Sequence, residues 1–152
     1  MTTNLLDTPA AIRACVFTLA GMSFAIDVTQ VREVAIFDEW TVMPLAPPNV
    51  LGVANLRGDV LAIVDARPLL GLPSPRAGRR QWTLVIAAEG LEAALVIDGV
   101  ARLEAFTGVV PLDDPSAPHA PWTQGVLTGG EGRVPLLGSA KLLRALREER
   151  RR

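Results

Sequence analysis

The chain has 152 residues and a formal net charge of −1, with 49% hydrophobic, 5% aromatic and 20% charged residues. That apolar content argues against disorder, and a chain of this length buries roughly 68–70% of its unfolded surface, enough to fold without a disulfide or a metal. One cysteine (Cys15) and one histidine (His119) exclude an intrachain disulfide and cysteine-rich or paired-histidine metal sites, while the near-neutral charge and the absence of tyrosine argue against nucleic acid as the main partner.

In chain order, Met1-Thr-Thr-Asn-Leu-Leu-Asp7 lacks the basic region and apolar run of a secretion signal, which points to the cytoplasm. Cys15, Phe17 and Leu19 form the apolar face of a first strand. Met22, Phe24, Ile26 and Val28 alternate with polar or small residues, the period of a half-buried strand. Ala20-Gly21 between them predicts a hairpin. Arg32–Phe37 is a third apolar-rich segment, and the adjacent prolines of Met43–Asn49 make a rigid connector. Gly52–Leu56 and Val60–Val64 are strands around Arg57-Gly58-Asp59. No apolar run, Val60–Val64 included, approaches the roughly 18–20 residues of a membrane helix. Asp65 caps a helical turn over Ala66–Leu70 that Gly71 ends.

Pro73–Arg80 reads as a polar, basic surface loop. Trp82–Ala88 and Ala93–Ile97 form strands joined around Glu89-Gly90, followed by Ala101–Phe106. Asp113–Pro121 is loop, since Pro115, Pro118 and Pro121 prevent regular structure; His119 lies within it and is expected at the surface. Gln124–Leu127 and Arg133–Leu137 flank a flexible turn, Thr128-Gly-Gly-Glu-Gly132. Ser139 is expected to cap a terminal helix with Leu142, Leu143 and Leu146 as its apolar stripe, and Arg147–Arg152 to fray. About nine short strands and one helix predict a single all-β domain over 1–152, a barrel or sandwich. Helices long enough for crossovers are missing, so a parallel sheet is not expected.

No catalytic constellation stands out. Cys15 reads as a buried core thiol, and Asp113-Asp114 before Pro115 as a solvated turn. Gly129–Gly132 lacks the Lys-Ser/Thr ending of a phosphate loop. No metal or cofactor site follows. Asn55-Leu-Arg-Gly58, packed between two apolar strands, is more informative: its glycines permit a tight turn that holds Arg57 on a rigid rim, the plain alternative being an ordinary surface arginine.

Those segments resemble the CheW-like domain of bacterial chemotaxis coupling proteins. The likeness is carried by Val16-Phe-Thr-Leu-Ala-Gly21, Phe24-Ala-Ile-Asp-Val28, Val31-Arg-Glu-Val34, Gly52 to Asp65, Leu95-Val-Ile-Asp-Gly-Val100, Gln124-Gly-Val-Leu127 and Lys141-Leu-Leu143, and it covers about residues 13–146. It implies two interlocked five-stranded SH3-like barrels plus a C-terminal helix. It also implies a non-catalytic adaptor without cofactor that links the cytoplasmic tips of methyl-accepting chemoreceptors to the regulatory domain of a CheA-type histidine kinase. Such a protein is cytoplasmic, recruited to receptor arrays and not inserted in the membrane. The implied receptor groove is carried by Val31, Glu33 and Arg57, with Val34 and Leu56 as apolar lining.

The sequence departs from the family pattern at Ala62, where a proline is usual, and at Gly138, where Asp or Asn is usual. Pro135 lies within the last strand and suggests an edge or a bulge there. Pro115–Pro121 is small and proline-rich where a larger apolar kinase contact is usual, leaving Trp122 as the nearby residue large enough to anchor the kinase, the alternative being that Trp122 belongs to the core. Receptor binding is therefore the firmer expectation, and an accessory protein that binds receptors but engages the kinase poorly is one alternative. A small-ligand-binding barrel is another; it requires a cavity with convergent polar groups.

Overall fold

Two-residue connections ending in glycine organise most of the chain. In the computed structural model, which describes residues 11–75, 78, 80–99 and 101–148 (Arg147 and Glu148 by backbone only), β1 (Ile12–Leu19) turns into β2 (Met22–Asp27), β4 (Val50–Leu56) into β5 (Asp59–Val64), and β6 (Gln81–Ala88) into β7 (Leu91–Ile97). Leu19 faces Met22, Leu56 faces Asp59 and Ala88 faces Leu91. Both central residues of each turn have positive φ: Ala20 and Gly21, Arg57 and Gly58, Glu89 and Gly90. This is the type I′ turn, whose twist matches that of the flanking strands. The remaining strands are β3 (Val31–Phe37), β8 (Ala101–Phe106), β9 (Gly108–Val110), β10 (Thr123–Thr128) and β11 (Val134–Leu137), and the chain ends in helix α1 (Ser139–Glu148).

The strands form two sheets, ordered β8-β1-β2-β11-β10-β9 and β3-β6-β7-β5-β4. Each curls until its edges meet. Thr107, the single residue between β8 and β9, donates its N–H to the Thr128 carbonyl at 2.9 Å, so one bent strand serves both edges of the first sheet. Beyond β3, Thr41 exchanges backbone hydrogen bonds of 2.8 and 2.9 Å with Val53 of β4 and closes the second. The expected five strands per barrel thus become six assigned strands in the first, because the bend at Thr107 divides one of them. The barrels interlock: the first holds β1, β2 and β8–β11, and the second is inserted as β3–β7.

Alternation distributes side chains between three cores. Ala14 and Val16 fill the first barrel, while Cys15, Phe17 and Leu19 of the same strand face a core shared by both barrels. Likewise Ala94 and Val96 fill the second barrel, while Ala93, Leu95 and Ile97 face the shared core. Strand β2 is therefore buried on both faces, not half-buried: Ala25, which reads as a neutral residue in the alternation, is fully buried inside the narrow first barrel. Helix α1 covers the shared core with Leu142, Leu143 and Leu146, at 0%, 4% and 2% exposure. Each such burial stabilises by about 1.5–3 kcal/mol.

Several expectations change. Two strand pairs are parallel, β2 with β11 and β5 with β7, because long non-helical connections replace helical crossovers. Strand β11 is not an edge; it lies between β2 and β10. Its ladder to β2 is the single pair Leu136↔Ala25, and the register shift falls in β10 between Thr123 and Gly125, so the N–H missing at Pro135 is tolerated. His119 is buried: its Nδ1 lies 2.8 Å from Thr123 Oγ1 and its ring stands edge-on to Phe24 at 5.6 Å. The Thr128–Gly132 turn is anchored, since Glu131 N–H donates to Glu104 Oε2 at 2.9 Å and a side chain on Gly129 would collide with Thr107. Ser139 is not the helix cap. Leu142 N–H donates to the Gly138 carbonyl, which makes Gly138 the capping residue, and the buried Ser139 hydroxyl has no hydrogen-bond partner. The expectations for Arg76, Ala77, Arg79 and the tail beyond Glu148 lie outside the described residues.

Hydrogen bonds from the end of β7 tie the second barrel to the first. Asp98, after β7, donates its N–H to the Thr18 carbonyl, accepts the Ala20 N–H at 2.7 Å, and accepts from Arg67 of the second barrel. Arg67, 6% exposed, also bonds Asp65, whose carboxylate caps the turn through the Arg67 N–H at 3.0 Å as the sequence indicated.

A candidate docking surface on the second barrel

The strand β3 carries the predicted receptor residues on two faces, and a bulge decides which goes where. Its register with β6 shifts between Val31 and Glu33. Val31 thereby faces Ile86 and Val34 faces Leu84, both shared-core residues, whereas Glu33 faces Val85, which belongs to the interior of the second barrel. Val31 is half-buried against the shared core. Val34 and Ile36 emerge from it, each 44% exposed, with Trp82 opposite Ile36 and 41% exposed. These side chains make an apolar strip along β3 and β6.

Glu33 lies at the end of the barrel, where β3 and β4 are the two sheet edges and the Thr41–Val53 bridge is some distance along the strands. Arg57, at the β4–β5 tip, spans this gap: its Nη2 donates to Glu33 Oε2. The arginine side chain is 69% exposed and the glutamate 30%. Leu56, beside it, is half-buried against the second-barrel core. The structure thus brings Glu33, Leu56 and Arg57 together at the barrel end and sets Val31 and Val34 on the neighbouring strip. Sequence reasoning missed Ile36 and Trp82. Their exposure depends on the bulge and on which sheet face the other barrel leaves uncovered, which no local pattern encodes.

A guanidinium has five N–H donors in a rigid fork, and the ion pair engages one of its nitrogens. The surface therefore offers apolar area for burial and an oriented cation for register, the combination that suits an amphipathic helix. Arg32, next to Glu33 on β3, pairs with Glu92 at 3.0 Å.

Trp122 is placed differently. It ends a short 3-10 turn, Ala120–Trp122, is half-buried against the shared core, and donates its indole N–H to the Leu69 carbonyl at 3.0 Å, with Lys141 Nζ 5.8 Å from the ring centre. Pro118 in the preceding loop packs on Gly71. An open groove of about 500 Å³ runs along β5 between Met43–Pro47 and α1, lined by Val53, Ala62, Val64, Leu143 and other mainly apolar residues. Among its described lining residues Glu92 is the one charged group, so it lacks the converging polar groups of a small-molecule site. Among the described residues no cluster of three or more His, Cys, Asp or Glu could hold a metal, and no helix is long and apolar enough to cross a membrane.

Two interlocked, closed β-barrels capped by one helix make the chain a double SH3-like barrel domain. Residues 13–147 match the CheW-like domain, and the chain belongs to that family. It is 34% identical over 83 residues to the chemotaxis protein CheW of Bacillus subtilis, covering 55% of this chain and 53% of the relative. It is 35% identical over 87 residues to that of Rhizobium meliloti, covering 57% and 56%. The aligned stretch thus spans little more than half the length of these relatives. The crystal structure of the scaffolding protein TtCheW from Thermoanaerobacter tengcongensis shares the fold, with a TM-score of 0.72, 20% identity and 90% of each chain covered.

Proposed function

We propose that the chain is a non-catalytic adaptor of bacterial chemosensory signalling, cytoplasmic and recruited to receptor arrays. It docks the cytoplasmic tips of chemoreceptors and couples them to the regulatory domain of a CheA-type histidine kinase. The observation that carries this reading is the β3 surface of a CheW-like fold, where Arg57 is held by Glu33 at a hairpin tip beside the exposed strip of Val34, Ile36 and Trp82. A helical receptor tip buries the strip, and Arg57 fixes its register through a charge-assisted hydrogen bond.

The receptor arm of this reading is the better supported. Trp122 has its indole N–H committed to Leu69 and part of its ring in the core, so it offers the kinase little uncommitted area. That favours the accessory variant, a receptor binder that engages the kinase weakly. Titration calorimetry with a soluble coiled-coil fragment of a receptor tip tests the receptor arm. Arg57→Ala removes a hydrogen bond worth about 1.5–3 kcal/mol and is expected to weaken binding roughly 10–150-fold with an unchanged circular dichroism spectrum. Unchanged affinity would refute the assigned role of Arg57.

A further inference from the structure

The turn that presents Arg57 is braced by an asparagine of its own strand, whereas the Ala20 turn is held by the distant Asp98, which accepts the Ala20 N–H at 2.7 Å. All three two-residue hairpins have a non-glycine residue at positive φ followed by glycine: Ala20, Arg57 and Glu89, at 49°, 50° and 50°. A left-handed conformation disfavours any residue with a Cβ, and Asn, Asp and Gly are the residues that ordinarily fill it. Only the Arg57 turn is preceded by asparagine, and Asn55 Oδ1 accepts the Gly58 N–H at 2.9 Å. The corresponding positions of the other hairpins are Thr18 and Ala87, and Ala87 has no polar side chain with which to form such a bond. Both sister turns nevertheless have the same backbone geometry. The Glu89 turn reaches this geometry with Ala87 at the matching position, so the asparagine is not needed to form the turn.

From this contrast we infer that Asn55 is a positioning residue for Arg57. Its side chain locks the glycine that follows Arg57, so that the arginine stem leaves the hairpin in one direction while Glu33 fixes the head. Asn55 does not itself contact the partner. The turn holds an arginine at a positive φ where asparagine or glycine would be less strained. The inference rests on the receptor-docking role of Arg57 and says how that role is secured: the fork is pre-oriented, and ordering it on binding costs less entropy.

The test is a double-mutant cycle with the receptor-tip fragment, measuring affinity and thermal stability for Asn55→Ala, Asn55→Asp, Arg57→Ala and Asn55→Ala/Arg57→Ala. Asn55→Ala is expected to weaken binding about tenfold, the scale of one hydrogen bond's positioning effect, while adding no further loss in the Arg57→Ala background. Asn55→Asp keeps an acceptor for the Gly58 N–H and is expected to restore most of the affinity. Arg57→Asn is expected to raise the melting temperature and abolish the arginine-dependent affinity. An Asn55→Ala variant that melts earlier but binds as tightly as the parent would overturn the inference. So would an equal loss of affinity whether or not Arg57 is present. If Arg57→Ala alone leaves affinity unchanged, the docking role itself fails, which the cycle reads separately.

Discussion

Cys15 shows how far a single side chain can be read. It lies in β1 between the first-barrel residues Ala14 and Val16, faces the shared core beside Phe17 at 4% exposure, and its burial pushes the thiol pKa up. The thiolate is the reactive form, so a buried thiol with a raised pKa reacts only when the fold opens. Labelling with a thiol-specific disulfide reagent at neutral pH is expected to follow the global unfolding rate and to become immediate in denaturant; a fast phase in the native protein would contradict this placement. The alternation of Cys15 with Phe17 and Leu19 made that burial legible in the sequence. His119 was not legible in the same way, because its ring is buried by Phe24, a residue far along the chain, and by a hydroxyl on Thr123. A proline-rich loop reads as surface whichever way its one aromatic side chain turns. At Arg57 the sequence indicates a tight turn through Gly58, but the pairing with Glu33 depends on the closure of a barrel.

Among the elements, hairpins were the most legible and edges the least. Ala20-Gly21, Arg57-Gly58 and Glu89-Gly90 each mark a turn that the structure contains, because the positive φ they require is a local property. Strand β9 has three residues and exists through its pairing with β10, so no periodicity announces it. The helix follows its stripe of Leu142, Leu143 and Leu146, yet its cap is Gly138 and not the serine that propensity favours. Leu143 packs against the shared core at 4% exposure. Leu143→Ala removes its buried methyl groups and leaves a cavity, with an expected loss of about 2–5 kcal/mol in chemical denaturation. A loss below about 0.5 kcal/mol, the range of surface substitutions, would show that the helix does not seal the joint.

For the whole molecule, the strand count and turn spacing lead to an all-β barrel, but interlocking is not visible in them. It depends on β1, β2 and β7 being buried on two faces, one towards a barrel and one towards the joint. Alanines such as Ala25 and Ala94 fill the narrow interiors and leave no strong mark on the hydrophobic pattern. The resemblance to CheW-like domains supplied the double barrel that periodicity could not. The same joint exposes the strip of Val34, Ile36 and Trp82 along one side of β3 and β6, next to the charged barrel end. A partner that uses both must lie across β3, with its apolar face on the strip and an acceptor at Arg57. Such a contact combines a salt-sensitive charge with salt-insensitive burial, since exposed ion pairs are screened over about 8 Å at physiological ionic strength.

The most direct measurement is a parallel titration of the chain against a receptor-tip fragment and a CheA-type regulatory domain, repeated with Trp82→Ala and Ile36→Ala. The account predicts saturable receptor binding, weakened by either substitution without loss of fold, and weaker binding of the kinase domain. Absence of receptor binding at about 1 mM, where the binding free energy falls to about −4 kcal/mol, or receptor binding indifferent to Trp82 and Ile36, would contradict it.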